Sequence, residues 1–439
     1  MKICQLAFIT NDIARGMHIY YKEISELDYI DTYVYKQLKK VSLNRYNSFE
    51  NYSYEKLYET LNKYDIILFH GIHTYKRTQK EDDDLHKFLK VYHNLKHPTK
   101  IYIEHEFFAK KTSFDSKWRS IVLKSTDSFI YYYKDDFNWP KYILNFLKIK
   151  ENNLNRGRIF LKLDEHEKHI RESFEIKDKK PYIFETGFYS KHKMFENIIY
   201  LQEIINKNHN NFKYKFFHMG VNFDPNVFFN YVRKNEKYLK KYGSKVEKYF
   251  DENFIFNKNI NDNKVVILGS YDYNFMIELF KRIRYTWSLM TTLDEKFGKY
   301  VIPRFEYAQI EKCLYTIPIM TKDFIELFDN MDKSVRDSFL LFDMKNQEKS
   351  GDKIVSEINY LDKNEKEYNE RRKNLIEYIR KNYDLKKYYN FISSLKKDKQ
   401  KNKKVDFDTY YGKSLGDLGL TYNIFKKDFE KRIRSRKLF

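Results

Sequence analysis

Short apolar runs, each followed by a longer stretch with helical spacing, constrain this chain more than any other feature. The first half carries KICQLAFIT (2–10), DIILFHGI (65–72), KIYIEHEFF (100–108) and SFIYYY (128–133). The second half carries PYIFETG (181–187), YKFFHMG (214–220), KVVILGS (264–270), YTWSLMTT (285–292) and YTIPIMT (315–321). A strand that is apolar along its whole length is buried on both faces. Such strands alternating with helices predict parallel α/β sheets, here two doubly wound, Rossmann-like domains. In open sheets of this kind ligands bind beyond the carboxyl ends of the strands, so the loops after each run are where chemistry is expected.

The polar segment IKDKKP (176–181) separates the two series. It predicts an N-terminal domain over 1–178 and a second domain over 179–352. Residues 353–395 read as helices that pack back across the domains. The lysine-rich run LKKDKQKNKKVDFD (395–408) opens a basic tail over 396–439 and reads as a solvated linker more readily than as a binding arm. No repeat of solenoid length occurs.

The 439 residues suffice for two or three domains with their own cores. A content of 12 Gly and 6 Pro leaves little material for long flexible linkers. The formal charge of +21 attracts phosphates, whether of a nucleotide, a nucleic acid or an anionic membrane. The lysine-rich codon use of an AT-rich genome explains that charge equally well. Cys4 and Cys313 each sit in an apolar run with no metal-ligand spacing, which predicts buried, reduced thiols. No run reaches the length of a membrane span or a signal peptide, and the expected location is the cytoplasm, a host's if the gene is viral.

Several loops hold chemistry-bearing residues. Gly16 precedes a helix start, where backbone N–H groups can meet a phosphate; an ordinary turn fits it as well. Glu104, His105 and Glu106 end the third run, and a His beside carboxylates can accept a proton or hold a sugar hydroxyl; a solvated strand end is the other reading. Lys191, His192 and Lys193 open a helix, where cations and a helix N-terminus together suit a diphosphate; a solvated lysine pair remains the alternative. Pro303 fits the first position of a helix running to about Leu314, with Arg304 and Glu311 on one face and Glu306 elsewhere. A Glu there can accept both hydroxyls of a ribose, against a surface helix of alternating charge. The run EDDD (81–84) offers carboxylates for a hard cation, but acidic capping of the following helix fits better, and no metal is expected. His70 and His73 lack ligand partners at metal spacing and read as packing or cleft lining.

The series strand–GFYSKHK–helix, KVVILGS and KFGKYVIPRFEYAQIEKCLYTIPIM resembles the nucleotide-sugar domain of retaining glycosyltransferases with the GT-B fold. Within them it is most similar to the DNA α-glucosyltransferases of T-even bacteriophages, which glucosylate hydroxymethylated cytosine in duplex DNA. Lys299–Tyr300, Glu306–Tyr307, Glu311 and Thr316–Ile317–Pro318 match in register, and weaker echoes extend the likeness over roughly 1–390. The resemblance implies two domains facing across a cleft. It implies that Lys193 contacts the donor diphosphate, that Glu311 holds the ribose, and that Glu306 and Tyr307 lie near the donor's phosphate end. His105 and Glu106 match the pair facing sugar and acceptor, and Gly16 the first loop facing the phosphates. Phe188 stands where the family carries an arginine, with Lys191 and Arg304 the candidates to replace it. Pro303 stands where the wider superfamily has the first of two glutamates, a residue the phage DNA enzymes also lack.

The expected activity is therefore retaining transfer of a hexose or pentose from a uridine diphosphate sugar to a hydroxymethylated base in duplex DNA. It needs no cofactor beyond the donor and is carried out by a monomer. Two alternatives stand beside it: a glycosyltransferase acting on a cell-surface polysaccharide or a protein, and a non-catalytic nucleic-acid-binding protein on a transferase scaffold.

Overall fold

The computed structural model describes residues 1–9, 24–36, 46–73, 78–103, 121–122, 124–131, 154–186, 201, 204–205, 207–209, 211–219, 266–268, 273–289, 303–325, 328, 331–343 and 345–395. The chain forms two compact units. The first comprises Met1–Phe160, Asp294–Arg304 and Leu385–Phe439, the second Leu161–Leu293 and Phe305–Asp384.

The first unit is built on a parallel sheet, seven-stranded among the described residues. Its strands are β1 (Ile3–Ile9), β2 (Ile30–Val34), β3 (Asn47–Ser48), β4 (Ile66–His73), β5 (Thr99–Ile103), β6 (Ser128–Tyr131) and β7 (Leu154–Arg156), in the order β3-β2-β1-β4-β5-β6-β7. β1 is buried along its whole length, as its sequence ICQLAFI requires. Its one amide, Gln5, donates to the Thr32 hydroxyl of β2 at 2.6 Å. Each aliphatic or aromatic side chain fully buried here contributes about 1.5–3 kcal/mol. Phe8 stacks on Tyr35 at 4.2 Å, and Phe49, Phe69 and Phe88 extend that cluster. The β1–β4 register slips between Leu6 and Phe8, and Gly71, at φ 106, takes up the extra residue.

Helices α1 (Tyr54–Asn62) and α2 (Gln79–Asn94) flank this sheet sequence. The run EDDD lies inside the first turns of α2, whereas its polar character predicts a place ahead of the helix. Thr78 and Glu81 form a capping box, with the Thr78 side chain accepting from the Glu81 N–H and the Glu81 carboxylate from the Thr78 N–H. Asp84 accepts from the Tyr35 hydroxyl and from Lys87. At the other end of α2 the buried Lys100 ammonium donates to the carbonyls of Tyr92, His93 and Leu95, meeting the negative end of the helix.

Helix α3 (Leu163–Glu175) opens the second unit, whose sheet is six-stranded among the described residues. β8 (Lys180–Thr186), β9 (Lys215–Met219), β10 (Val266–Leu268), β11 (Ile283–Ser288), β12 (Ile317–Thr321) and β13 (Leu340–Phe342) are all parallel, in the order β10-β9-β8-β11-β12-β13. This is the doubly wound order in which the first strand sits centrally and the sequence reverses direction beside it. α4 (Tyr273–Lys281) precedes β11, and α5 (Pro303–Cys313) joins β11 to β12.

Two long helices close the second unit, α6 (Gln347–Lys363) and α7 (Glu365–Tyr383). Arg372 of α7 is buried, lies 3.9 Å over the Phe174 ring of α3 and donates to the Ser173 hydroxyl at 2.7 Å. The chain leaves the first unit at Phe160 and returns to it at Leu385. Leu161 and Asp384, on the second-unit side of those crossings, form a β-bridge, with the Leu161 N–H donating to the Tyr383 carbonyl at 2.7 Å. Helix α8 (Tyr388–Ser394) then packs on the first unit, Tyr388 against Phe160 at 5.3 Å and Tyr389 edge-on to Tyr29 at 5.2 Å. Among the described residues no helix is long and apolar enough to cross a membrane, and Cys4 and Cys313 are buried free thiols.

Candidate functional site

The switch point of the second sheet lies between β8 and β11, the strands at which the winding reverses. β8 ends in Glu185 and Thr186, and β11 in Ser288. Glu185 would be an anomaly in so apolar a strand without a cation to meet it. That cation is Lys312, from the last turn of α5: its Nζ lies 2.7 Å from Glu185 Oε2, with side chains 0% and 1% exposed. Lys312 also donates to Gln309 one turn back at 3.3 Å. The Ser288 hydroxyl is buried and has no hydrogen-bond partner among the described residues.

α5 begins at Pro303, whose ring supplies the helical φ and whose missing N–H costs nothing at that position. Its end is stitched to the sheet. The Thr316 hydroxyl donates to the Lys312 carbonyl at 3.0 Å and lies 2.8 Å from the Thr286 hydroxyl of β11. Tyr307 and Glu311, one turn apart on the same face, are both buried. Glu311 Oε1 lies 3.9 Å from Nε2 of His166 on α3, and His166 Nδ1 lies 2.6 Å from the Tyr315 hydroxyl. Burial pushes His166 down to about 4, so its ring is neutral at pH 7. Burial first, and then the charge of Glu311, push the Tyr315 hydroxyl up, which keeps its proton in place.

No family model matches the chain, and no curated protein matches it. Solved structures do match its fold. The T4 α-glucosyltransferase in complex with UDP-glucose and DNA containing an abasic site has a TM-score of 0.62 at 14% identity, over 90% of this chain and 100% of that one. The same enzyme in complex with UDP scores 0.62 at 13% identity, over 90% of this chain and 100% of that one. The Anabaena protein Alr3699/HepE in complex with UDP scores 0.53 at 12% identity, again over 90% and 100%.

The chain has a GT-B fold.

Within this GT-B chain, the expected site residues divide by what the structure describes. Tyr307 and Glu311 stand together on α5, inside the second unit. Arg304 and Glu306 lie in the first turns of the same helix, where the backbone is described and the side chains are not. Gly16, Glu104, His105, Glu106, Phe188, Lys191 and Lys193 lie outside the described residues, as does the tail over 396–439. Their neighbours in sequence are described: β5 ends at Ile103, directly before Glu104, and β8 ends at Thr186, five residues before Lys191. The buried Glu185–Lys312 pair and the burial of His166 beside α5 are features that the sequence does not announce. A Glu near the end of an otherwise apolar strand is the one signal available for the first of them.

His169, Glu172 and Glu278 also come within metal-ligand distance of one another. Lys281 lies 2.6 Å from Glu172 and pairs with Glu278, so an ammonium already occupies the position a cation would take.

Proposed function

We propose that this chain is a retaining glycosyltransferase that moves a sugar from a uridine diphosphate sugar to a hydroxymethylated base in duplex DNA. The observation that carries the donor half is Glu311, a buried carboxylate on a helix that Lys312 and Glu185 tie to the first strand of the switch point. A carboxylate held on a rigid element can accept hydrogen bonds from both hydroxyls of a ribose, as acidic residues do in other dinucleotide folds. The fold-level likeness to an enzyme solved with UDP-glucose and DNA supports both donor class and acceptor class.

In this reading Lys193 contacts the diphosphate, Lys191 or Arg304 takes the place of the family's arginine, Gly16 sits in the first loop facing the phosphates, and Glu306 and Tyr307 lie near the donor's phosphate end. The bond between the anomeric carbon and the diphosphate oxygen breaks, and the nucleoside diphosphate leaves with its charge met by lysines and helix N-termini. The acceptor oxygen forms the new glycosidic bond on the face the diphosphate left. Its proton passes to Glu106, to His105 or to the departing phosphate oxygen. A base within a duplex has to leave the stack to reach such a site. Cationic side chains neutralise the leaving group, so turnover should survive exhaustive chelation by EDTA.

The likeness to Alr3699/HepE, solved in complex with UDP, favours as a second reading the same donor chemistry on another acceptor. One experiment separates them. The protein is incubated with a panel of nucleotide sugars and either hydroxymethylated or unmodified duplex DNA, and the nucleosides are analysed by mass spectrometry. Sugar on the hydroxymethylated base alone supports the first reading. Donor hydrolysis or UDP binding without DNA modification supports the second. For the donor site, Lys193→Ala and Glu311→Ala should each weaken UDP binding by about 1–3 kcal/mol in calorimetric titration, as loss of a charge-assisted hydrogen bond does. Unchanged affinity in both would remove the assignment.

A further inference from the structure

The second sheet carries a cluster of cations at the end away from its switch point, where β8 begins at Lys180 and β11 at Ile283. Lys179, just ahead of β8, donates from Nζ to the Ser173 carbonyl of α3 and, at 2.6 Å, to the Lys281 carbonyl of α4. Arg372 of α7 donates to the Ser173 hydroxyl at 2.7 Å, so the two cations meet on one residue. Arg372 is 1% exposed, and its buried Nε has no hydrogen-bond partner among the described residues. Neither Lys179 nor Arg372 has a carboxylate at ion-pair distance among the described residues. The acids around them are taken: Glu172 and Glu278 pair with Lys281, and Glu365 pairs with Arg284. Lys180 and Arg282 are exposed and likewise without an ion pair among the described residues. The Lys180 N–H donates to the Arg282 carbonyl at 2.7 Å, which sets these two residues side by side.

Burial first, and then the charges of Arg372, Arg284 and Arg282, push the Lys179 ammonium down to about 7, with Glu365 opposing. The C-terminal ends of α3 and α4 meet Lys179 and together supply about one negative charge. That offsets one of the four cations Lys179, Arg372, Lys180 and Arg282 and leaves the cluster positive. The Phe174 ring, 3.9 Å from the Arg372 guanidinium, eases its burial but offers Nε no in-plane acceptor. We propose that this cluster is an anion site for a phosphate-sized oxyanion, with Lys179 and Arg372 at its inner end and Lys180 and Arg282 at its mouth. A tetrahedral oxyanion accepts from several donors at once and supplies the negative charge that the protein's own carboxylates do not. Its occupant ties α3, α4 and α7 to the start of β8. The site lies at the opposite end of the sheet from Glu185 and Ser288, so it is separate from the proposed donor site.

The test follows thermal unfolding of the full chain against added sulfate or phosphate, with sodium chloride at matched ionic strength as the reference. Both oxyanions should raise the midpoint in a saturable way that chloride does not match. Lys179→Gln keeps an N–H and removes the charge. It should raise the half-saturating sulfate concentration about tenfold or more, the range for loss of a hydrogen bond to a charged group. The double variant Lys180→Gln with Arg282→Gln changes only exposed side chains and should raise it several-fold, which keeps the test open if Lys179→Gln does not fold. A bound oxyanion favours the protonated lysine. The half-saturating concentration of sulfate, whose own charge is constant, should therefore climb between about pH 6 and pH 9 in the wild-type protein and stay near level in Lys179→Gln. Lys193→Ala should respond to sulfate as the wild-type protein does. An effect that chloride reproduces, or wild-type half-saturation in folded Lys179→Gln, overturns the inference, as does wild-type half-saturation in the double variant where Lys179→Gln does not fold. Loss of the response in Lys193→Ala overturns it too, because the ion would then belong to the donor's phosphate site.

Discussion

Lys312 Nζ lies 2.7 Å from Glu185 Oε2, both side chains shut off from solvent, across 127 residues of sequence. Two charges taken out of water are held by each other, and Gln309 takes a further proton of the ammonium. The pair makes the last turn of α5 and the end of β8 a single mechanical unit.

Breaking it from one side leaves a buried charge without this partner. Lys312→Met and Glu185→Gln should each lower unfolding stability by about 3–5 kcal/mol, measured by denaturant titration. The double replacement Lys312→Met with Glu185→Leu should cost well under the sum, because no buried charge is stranded. Additive losses would mean that the two residues act separately.

The elements legible in the sequence are those whose burial is uniform. β1 and β12 are buried along their whole length, because a central parallel strand meets helices on both faces. β2 (IDTYV), β3 (NS) and β7 (LNR) leave no such signal. Among the described residues they lie at or next to the sheet edges, are short, and carry polar residues that break the pattern. β13 is three residues long, too short for any periodicity to register. The start of α5 is legible because proline marks a first helical turn. The pairing of Lys312 with Glu185 is not, since nothing local in IEKC or FETG says which distant charge each will meet. His166 is hidden for a related reason: EHEKH reads as a solvated helix face, and only the packing of α3 against the α5–β12 turn buries one of its two histidines.

That burial has a consequence for acid stability. The His166 ring is held down to about 4 in the folded chain, against the ordinary histidine value of 6.5, with desolvation the leading cause. Below pH 6.5 the unfolded chain takes up a proton that the folded chain refuses, so stability falls as pH falls. The loss accrues between about 6.5 and 4 and then levels off. Its size is on the order of 3 kcal/mol at the acid end, because each pH unit separating the folded from the unfolded pKa is worth about 1.36 kcal/mol. Glu165 and Glu167 oppose the depression and His169 adds to it. His166→Gln should remove this component. Unfolding stability measured at pH 7.5 and pH 4.5 should drop by about 2 kcal/mol less in the variant than in the wild-type protein. Equal drops would show that the ring titrates normally.

The charge of +21 makes the acceptor side testable without any knowledge of the sugar. A protein that positions a duplex through phosphate contacts releases the counterions those phosphates held. Its affinity for DNA should therefore fall linearly on a log–log plot against salt, with a slope of about −0.9 for each phosphate neutralised. Sequence preference should be slight, because phosphate contacts position a duplex without reading it. Selection of the base then falls to its hydroxymethyl group, so unmodified DNA should bind and not react. The lysine-rich segment at 395–408 has the composition to contribute to that slope. Deleting 396–439 should make the slope shallower and leave UDP affinity unchanged, since the residues assigned to the donor lie elsewhere. Fluorescence anisotropy across a salt series, with calorimetry for UDP, measures both. A protein that ignores duplex DNA at low salt, yet transfers sugar to a lipid-linked or protein acceptor, would assign the charge to genome composition and the chemistry to another substrate.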